Sequence, residues 1–106
     1  MVKREIKEII KEFAGALKKE GIHIDKIVLY GSHANGRPRP DSDIDLAVVS
    51  RKFGKDRSEE RVFLLKIAGK VDPRIEPVPI SLKSYRKDTW IPLIYAIRQD
   101  GIDVAP

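Results

Sequence analysis

The chain reads as an α/β sandwich of the α+β kind, with a small mixed sheet and helices packed mainly on one face. Three observations predict it. A charged N-terminal segment carries an apolar stripe at helical spacing. Two short apolar runs, Ile-Val-Leu-Tyr at 27–30 and Leu-Ala-Val-Val at 46–49, have the length and composition of strands. The segments then follow in the order helix, strand, helix, strand, helix, strand, helix.

Taken in order, residues 2–20 place Ile6, Ile9, Ile10, Phe13 and Leu17 on one side of a charged helix, and Gly21 stops it. A strand follows within 22–30, its buried part at 26–30. A short helix from Ser32 and a proline-rich loop lead to a second strand at 43–50. Ser58 is placed to cap a helix running to about Gly69, with Val62, Phe63, Leu65 and Ile67 directed inward. The third strand, 74–80, contains Pro77 and Pro79, which place it at the sheet's boundary. A last helix over 88–99 presents Trp90, Ile91, Leu93, Ile94 and Ile97, and Pro92 is tolerated in its first turn. Trp90 reads as core or interface. Asp100-Gly101 ends that helix, and 102–104 adds a short final strand.

Composition narrows the class. A length of 106 residues suits one core, so a single domain spanning 1–106 is expected, and 42% hydrophobic residues exclude wholesale disorder. There is no cysteine, no apolar run of membrane-spanning length and no cleavable signal pattern, which makes a cytoplasmic protein with no membrane role the default. The net charge of +5 comes from 21 basic against 16 acidic residues. The basic residues are spread along helix surfaces, which argues against direct nucleic-acid binding.

Chemistry concentrates in Gly31-Ser32-His33-Ala34-Asn35-Gly36-Arg37-Pro38-Arg39-Pro40-Asp41-Ser42-Asp43-Ile44-Asp45. In a strand, Asp43 and Asp45 project from one face, about 7 Å apart along the backbone. A cation relieves their repulsion, and oxygen donors without Cys or His select a hard ion such as Mg²⁺. Gly31 lets backbone approach a ligand closely. Ser32 opens a turn whose free N–H groups and hydroxyl can receive phosphate oxygens. Arg39 and Ser42, in the same loop, are further candidate nucleotide contacts, while Arg37 and Arg39, as loop arginines, read equally as exposed. His33 reads as a solvated surface residue of the loop and Asp41 as a loop or capping residue, and His23 has no partner at zinc-ligand spacing.

Gly-Ser, ten residues, then Asp-x-Asp, with both ends on strand termini, resembles the signature of the nucleotidyltransferase superfamily related to DNA polymerase β. The form GSHANGRPRPDSDIDLAVV most resembles the minimal nucleotidyltransferase family. The resemblance implies a nucleotidyltransferase fold and a third carboxylate on the strand after the second long helix. That makes Glu76 a metal ligand and catalytic residue beside Asp43 and Asp45. Relatives mostly have Asp there; Asp72, before Pro73, is the competing candidate and reads first as a turn residue. The resemblance further implies two Mg²⁺ ions and ATP as the AMP donor. It implies a HEPN-domain toxin as partner, modified on a tyrosine, which gives this chain an antitoxin role. The acceptor side is expected from another polypeptide, and a homo-oligomer stays compatible. The alternatives are transfer to a small molecule or nucleic acid, and neutralisation of a partner by contact without catalysis.

Overall fold

A computed structural model describes residues 2–39 and 41–105; Pro40 of the proline-rich loop and the two terminal residues lie outside the described residues. The N-terminal stripe forms helix α1 (Arg4–Lys19), which buries Ile6, Ile10, Phe13, Ala14 and Leu17. Each fully buried Leu, Ile or Phe contributes about 1.5–3 kcal/mol of transfer free energy. The stop falls at Gly21, with φ at 79°. The Ile22 N–H donates to the Leu17 carbonyl at 3.1 Å and the Gly21 N–H to that of Lys18 at 3.0 Å. This is the paired bonding of a Schellman stop, which needs a residue at ease with positive φ.

Four strands follow: β1 (Lys26–Tyr30), β2 (Ile44–Ser50), β3 (Ile75–Ser81) and β4 (Ile102–Ala105). Their order is β3-β2-β1-β4. β1 runs antiparallel to β2 and β4, while β2 and β3 are parallel. A parallel pair needs a crossover, and helix α2 (Arg57–Val71) supplies it. β3 is an edge strand, as its prolines predict. The Ile44 N–H donates to the Arg74 carbonyl at 2.8 Å; continuing that ladder, the residues of β3 that bond β2 alternate with Pro77 and Pro79. The donorless proline nitrogens therefore face outward, where no ladder bond is lost.

The helices divide between the faces. The long pair, α1 and α2, covers Ile27, Leu29, Ile44, Leu46, Val48 and Ile75. On the other face, the short helices α3 (Leu82–Lys87) and α4 (Pro92–Asp100) pack over Val28, Ala47, Val49 and Ile80. Among the described residues, no helix is long and apolar enough to cross a membrane.

Several local expectations are corrected. The short helix expected from Ser32 is a hydrogen-bonded turn over 32–36. Helix α2 is capped by Asp56 rather than Ser58: its carboxylate accepts from the Glu59 N–H at 3.1 Å. The same helix runs past Gly69 and buries Leu64, Ile67 and Ala68, leaving Val62 51% exposed and Phe63 and Leu65 at the surface. Four consecutive apolar residues, 62–65, fit more than one helical phase, and the burial of Ala68 and partly of Val71 decides which one packs. The helix expected over 88–99 begins at Pro92, with α3 before it; Trp90 lies in the turn between them, 77% exposed, and belongs to no core. The overlooked start signal was Ser81, whose hydroxyl accepts from the Ser84 N–H at 3.1 Å.

Candidate active site

The sheet sets three polar side chains in a row. Asp45 of β2 lies opposite Glu76 of β3 in the parallel register and opposite Tyr30 of β1 in the antiparallel one. Directly opposed residues share a face, with strands about 4.8 Å apart. This row continues the face of Val28, Ala47 and Val78, beyond the part that α3 and α4 cover. Asp43 stands just ahead of β2, exposed, and adds to the negative field on Asp45. Asp43, Asp45 and Glu76 are thus brought to one end of the sheet.

The other half of the motif meets them there. Gly31 ends β1 with φ at 76°. A Cβ on it would run into the Asp45 carboxylate, so the turn and the aspartate pack directly together. The Gly31 carbonyl accepts from the Ala34 and Asn35 N–H groups at 3.0 and 3.1 Å. Among the described residues, the N–H groups of Ser32 and His33 find no acceptor. Donors of this kind at the start of a turn suit an anion.

His33 is buried, not solvated: it is 7% exposed, and its Nε2 lies 3.3 Å from the Ser42 carbonyl. It ties the Gly31 turn to the residues that lead into Asp43. No local pattern signals this, because the partner lies across the loop. The Ser42 hydroxyl accepts from the Arg39 N–H at 2.7 Å, so it shapes the loop, while the Arg39 and Arg37 side chains lie at the surface. Asp41 is an exposed turn residue. Asp72 ends α2 and holds Arg74, through contacts of 2.8 Å to its N–H, and 3.1 and 3.0 Å to its guanidinium. The arginine keeps that carboxyl below the usual aspartate range, and the turn reading of Asp72 stands. His23 joins Arg51 on the Asp25 carboxylate at the opposite end of β1.

Two further side chains at the row went unseen in the sequence. Tyr30 is one: burial first, then the charges of Asp45 and Glu76, push its hydroxyl up to about 12. It stays a neutral phenol beside the carboxylates. Arg61 is the other; it reaches from α2 to place Nη2 at 3.8 Å from Glu76 Oε1.

Burial, followed by the charges of Asp43 and Glu76, raises the Asp45 carboxyl above its ordinary 3.8. Among the described residues, no three acidic, histidine or cysteine side chains close to metal-holding distance. The donor set nonetheless fits a hard divalent cation: it is all oxygen, lies at one sheet end, and repels itself in a way such an ion would relieve.

The family model for the nucleotidyltransferase domain matches residues 5–96, from α1 through the site into α4. The chain belongs to the nucleotidyltransferase domain family. It is a transferase acting on a nucleotide. A protein of Methanocaldococcus jannaschii named as a putative protein adenylyltransferase is 28% identical over 104 residues, covering 94% of this chain and 99% of that one. A crystal structure titled as a putative nucleotidyltransferase from Sulfolobus solfataricus superposes with a TM-score of 0.58 at 16% identity. It covers 92% of this chain and 73% of that one, a likeness of fold.

The burial of Asp45 among like charges has a stability consequence in this nucleotidyltransferase. A carboxyl whose folded pKa is raised binds its proton more tightly when folded, so its ionised form opposes folding above that pKa. Asp45→Asn is therefore expected to melt higher than the parent at pH 7. The gap should narrow as pH falls through the raised Asp45 pKa, which lies above 3.8. Thermal melts across that range check it; a lower melting temperature at pH 7 would contradict the destabilising burial and repulsion of the Asp45 charge.

Proposed function

We propose that this nucleotidyltransferase uses Mg²⁺ to move AMP from ATP onto a protein hydroxyl, a tyrosine of a HEPN-domain toxin, and so acts as its antitoxin. The observation that carries the chemistry is the register that sets Asp45 opposite Glu76, with Asp43 two residues away and the Gly31 turn against Asp45. The relative named as a protein adenylyltransferase, matched over nearly the full length of both chains, supports a protein acceptor. The HEPN partner rests on the resemblance of the motif to minimal nucleotidyltransferases.

In this reading Asp43, Asp45 and Glu76 would hold the cation. When bound, it supplies charge neutralisation on the triphosphate and lowers the pKa of the acceptor hydroxyl. The Ser32 and His33 N–H groups and the Ser32 hydroxyl receive phosphate oxygens, with Arg39 and Ser42 lining the approach. The acceptor oxygen attacks the α-phosphorus; its bond to phosphorus forms as the bond to the bridging oxygen breaks, and pyrophosphate leaves. Glu76 takes up the hydroxyl proton. The exposed end of the row leaves the acceptor a path to it.

Incubation with α-labelled ATP, Mg²⁺ and a HEPN-domain protein tests this. Label on a tyrosine of that protein is expected. Label confined to small molecules or RNA would replace the proposed acceptor.

A further inference from the structure

Resting on the same reading of the carboxylates, we propose that Arg61 is a positioning residue that pairs Glu76 until a divalent cation takes the carboxylate from it, and so limits how tightly the site holds metal. The guanidinium comes from α2, an element whose buried side, Leu64, Ile67 and Ala68, faces the opposite surface of the sheet. To reach Glu76 at 3.8 Å it must pass the outer edge of β3. Among the described residues, no further strand pairs with that edge of β3.

The surroundings of Glu76 make this pairing specific. Asp45 and Asp43 contribute negative charge, Tyr30 is a neutral phenol, and the charges of Asp45, Glu76 and Arg61 are all felt at the Tyr30 hydroxyl. Beside its 3.8 Å contact with Glu76 the guanidinium also acts on the Tyr30 hydroxyl, whereas the charges acting on Asp45 are those of Asp43, Glu76 and His33. The guanidinium supplies part of what a cation would supply, and the two compete for one carboxylate. The pair is also weak enough to give way: the side chains are 52% and 39% exposed, and exposed ion pairs hold little net energy. The arginine that steadies Glu76 in the absence of metal opposes its recruitment.

Binding of Mn²⁺ alone, followed by the loss of its free-ion electron paramagnetic resonance signal, reads this without any turnover. Arg61→Gln is expected to bind Mn²⁺ about two- to fivefold tighter, the scale an exposed pair supports. Arg61→Lys, which keeps the charge, should stay within about twofold of the parent. In a Glu76→Gln background, Arg61→Gln should change nothing, since the contested carboxylate is gone. Equal or weaker Mn²⁺ binding by Arg61→Gln overturns the proposal, as does the same gain in the Glu76→Gln background. Asp45→Asn separates the two levels of inference: if the parent binds Mn²⁺ no better than Asp45→Asn, the carboxylate site itself is wrong, and Arg61 falls with it.

Discussion

Asp45→Asn is expected to lose nucleotidyl transfer by a factor on the order of 10³ while keeping the fold. The substitution is nearly isosteric, so the β2 ladder and its core residues, Leu46, Ala47, Val48 and Val49, are untouched. What changes is charge at the centre of the row, where Asp45 lies between Tyr30 and Glu76. An amide offers one neutral oxygen where a carboxylate offers two charged ones, so the proposed support for metal and triphosphate is lost. Asp43→Asn should lose a similar factor. Pyrophosphate release under saturating ATP and Mg²⁺, with circular dichroism as the control, measures it. Full activity in a folded Asp45→Asn protein would remove this row as the reaction centre. The same variant is expected to melt higher at pH 7 because it removes a charge that is partly buried and repelled, so activity and stability should move in opposite directions.

The second large effect is expected at Gly31, and Gly36 is its control. Both have positive φ, 76° and 78°, so alanine at either position should cost about 1–2 kcal/mol of backbone strain. Their surroundings differ. A Cβ at Gly36 meets nothing within 4 Å, whereas at Gly31 it meets the Asp45 carboxylate. Gly31→Ala must displace that side chain or open the turn, and a shift of about 1 Å at a reacting centre costs about 100-fold in rate. The expected result is a melting temperature for Gly31→Ala at or below that of Gly36→Ala, and an activity loss of about 100-fold confined to Gly31→Ala. Equal activity in both would show that close packing of turn and aspartate is immaterial to the reaction.

Much of the scaffold was legible because it is encoded locally. The stripe on α1, the stop at Gly21 and the proline-marked edge strand each follow from a few neighbouring residues and their backbone preferences. Legibility failed where local codes were degenerate. The run 62–65 fits several helical phases, and the exposed Val62 and Phe63 show that hydrophobicity alone does not choose among them. The helix expected over 88–99 starts too early and 82–87 carries no predicted element, because the apolar Trp90 and Ile91 of the turn extend the α4 pattern backwards and Ser81 alone marks the start of α3.

The site divides in the same way. Strand periodicity by itself put Asp43 and Asp45 on one side, and Gly31 announced a close approach, because both depend on chain geometry over one or two residues. The motif over 31–45, with its match to the nucleotidyltransferase domain, established the family and the transfer chemistry. Only the tertiary structure decided that Asp45 faces Glu76, that Tyr30 completes the row, that His33 ties the loop across its width, and that Arg61 reaches round the sheet edge. Asp72 and Glu76 are four residues apart and chemically alike; strand register turned one toward Asp45, while Arg74 claimed the other. These are relations between residues distant in the chain, fixed by which strands pair and in what register, and that is settled by burying the apolar faces of all the elements together.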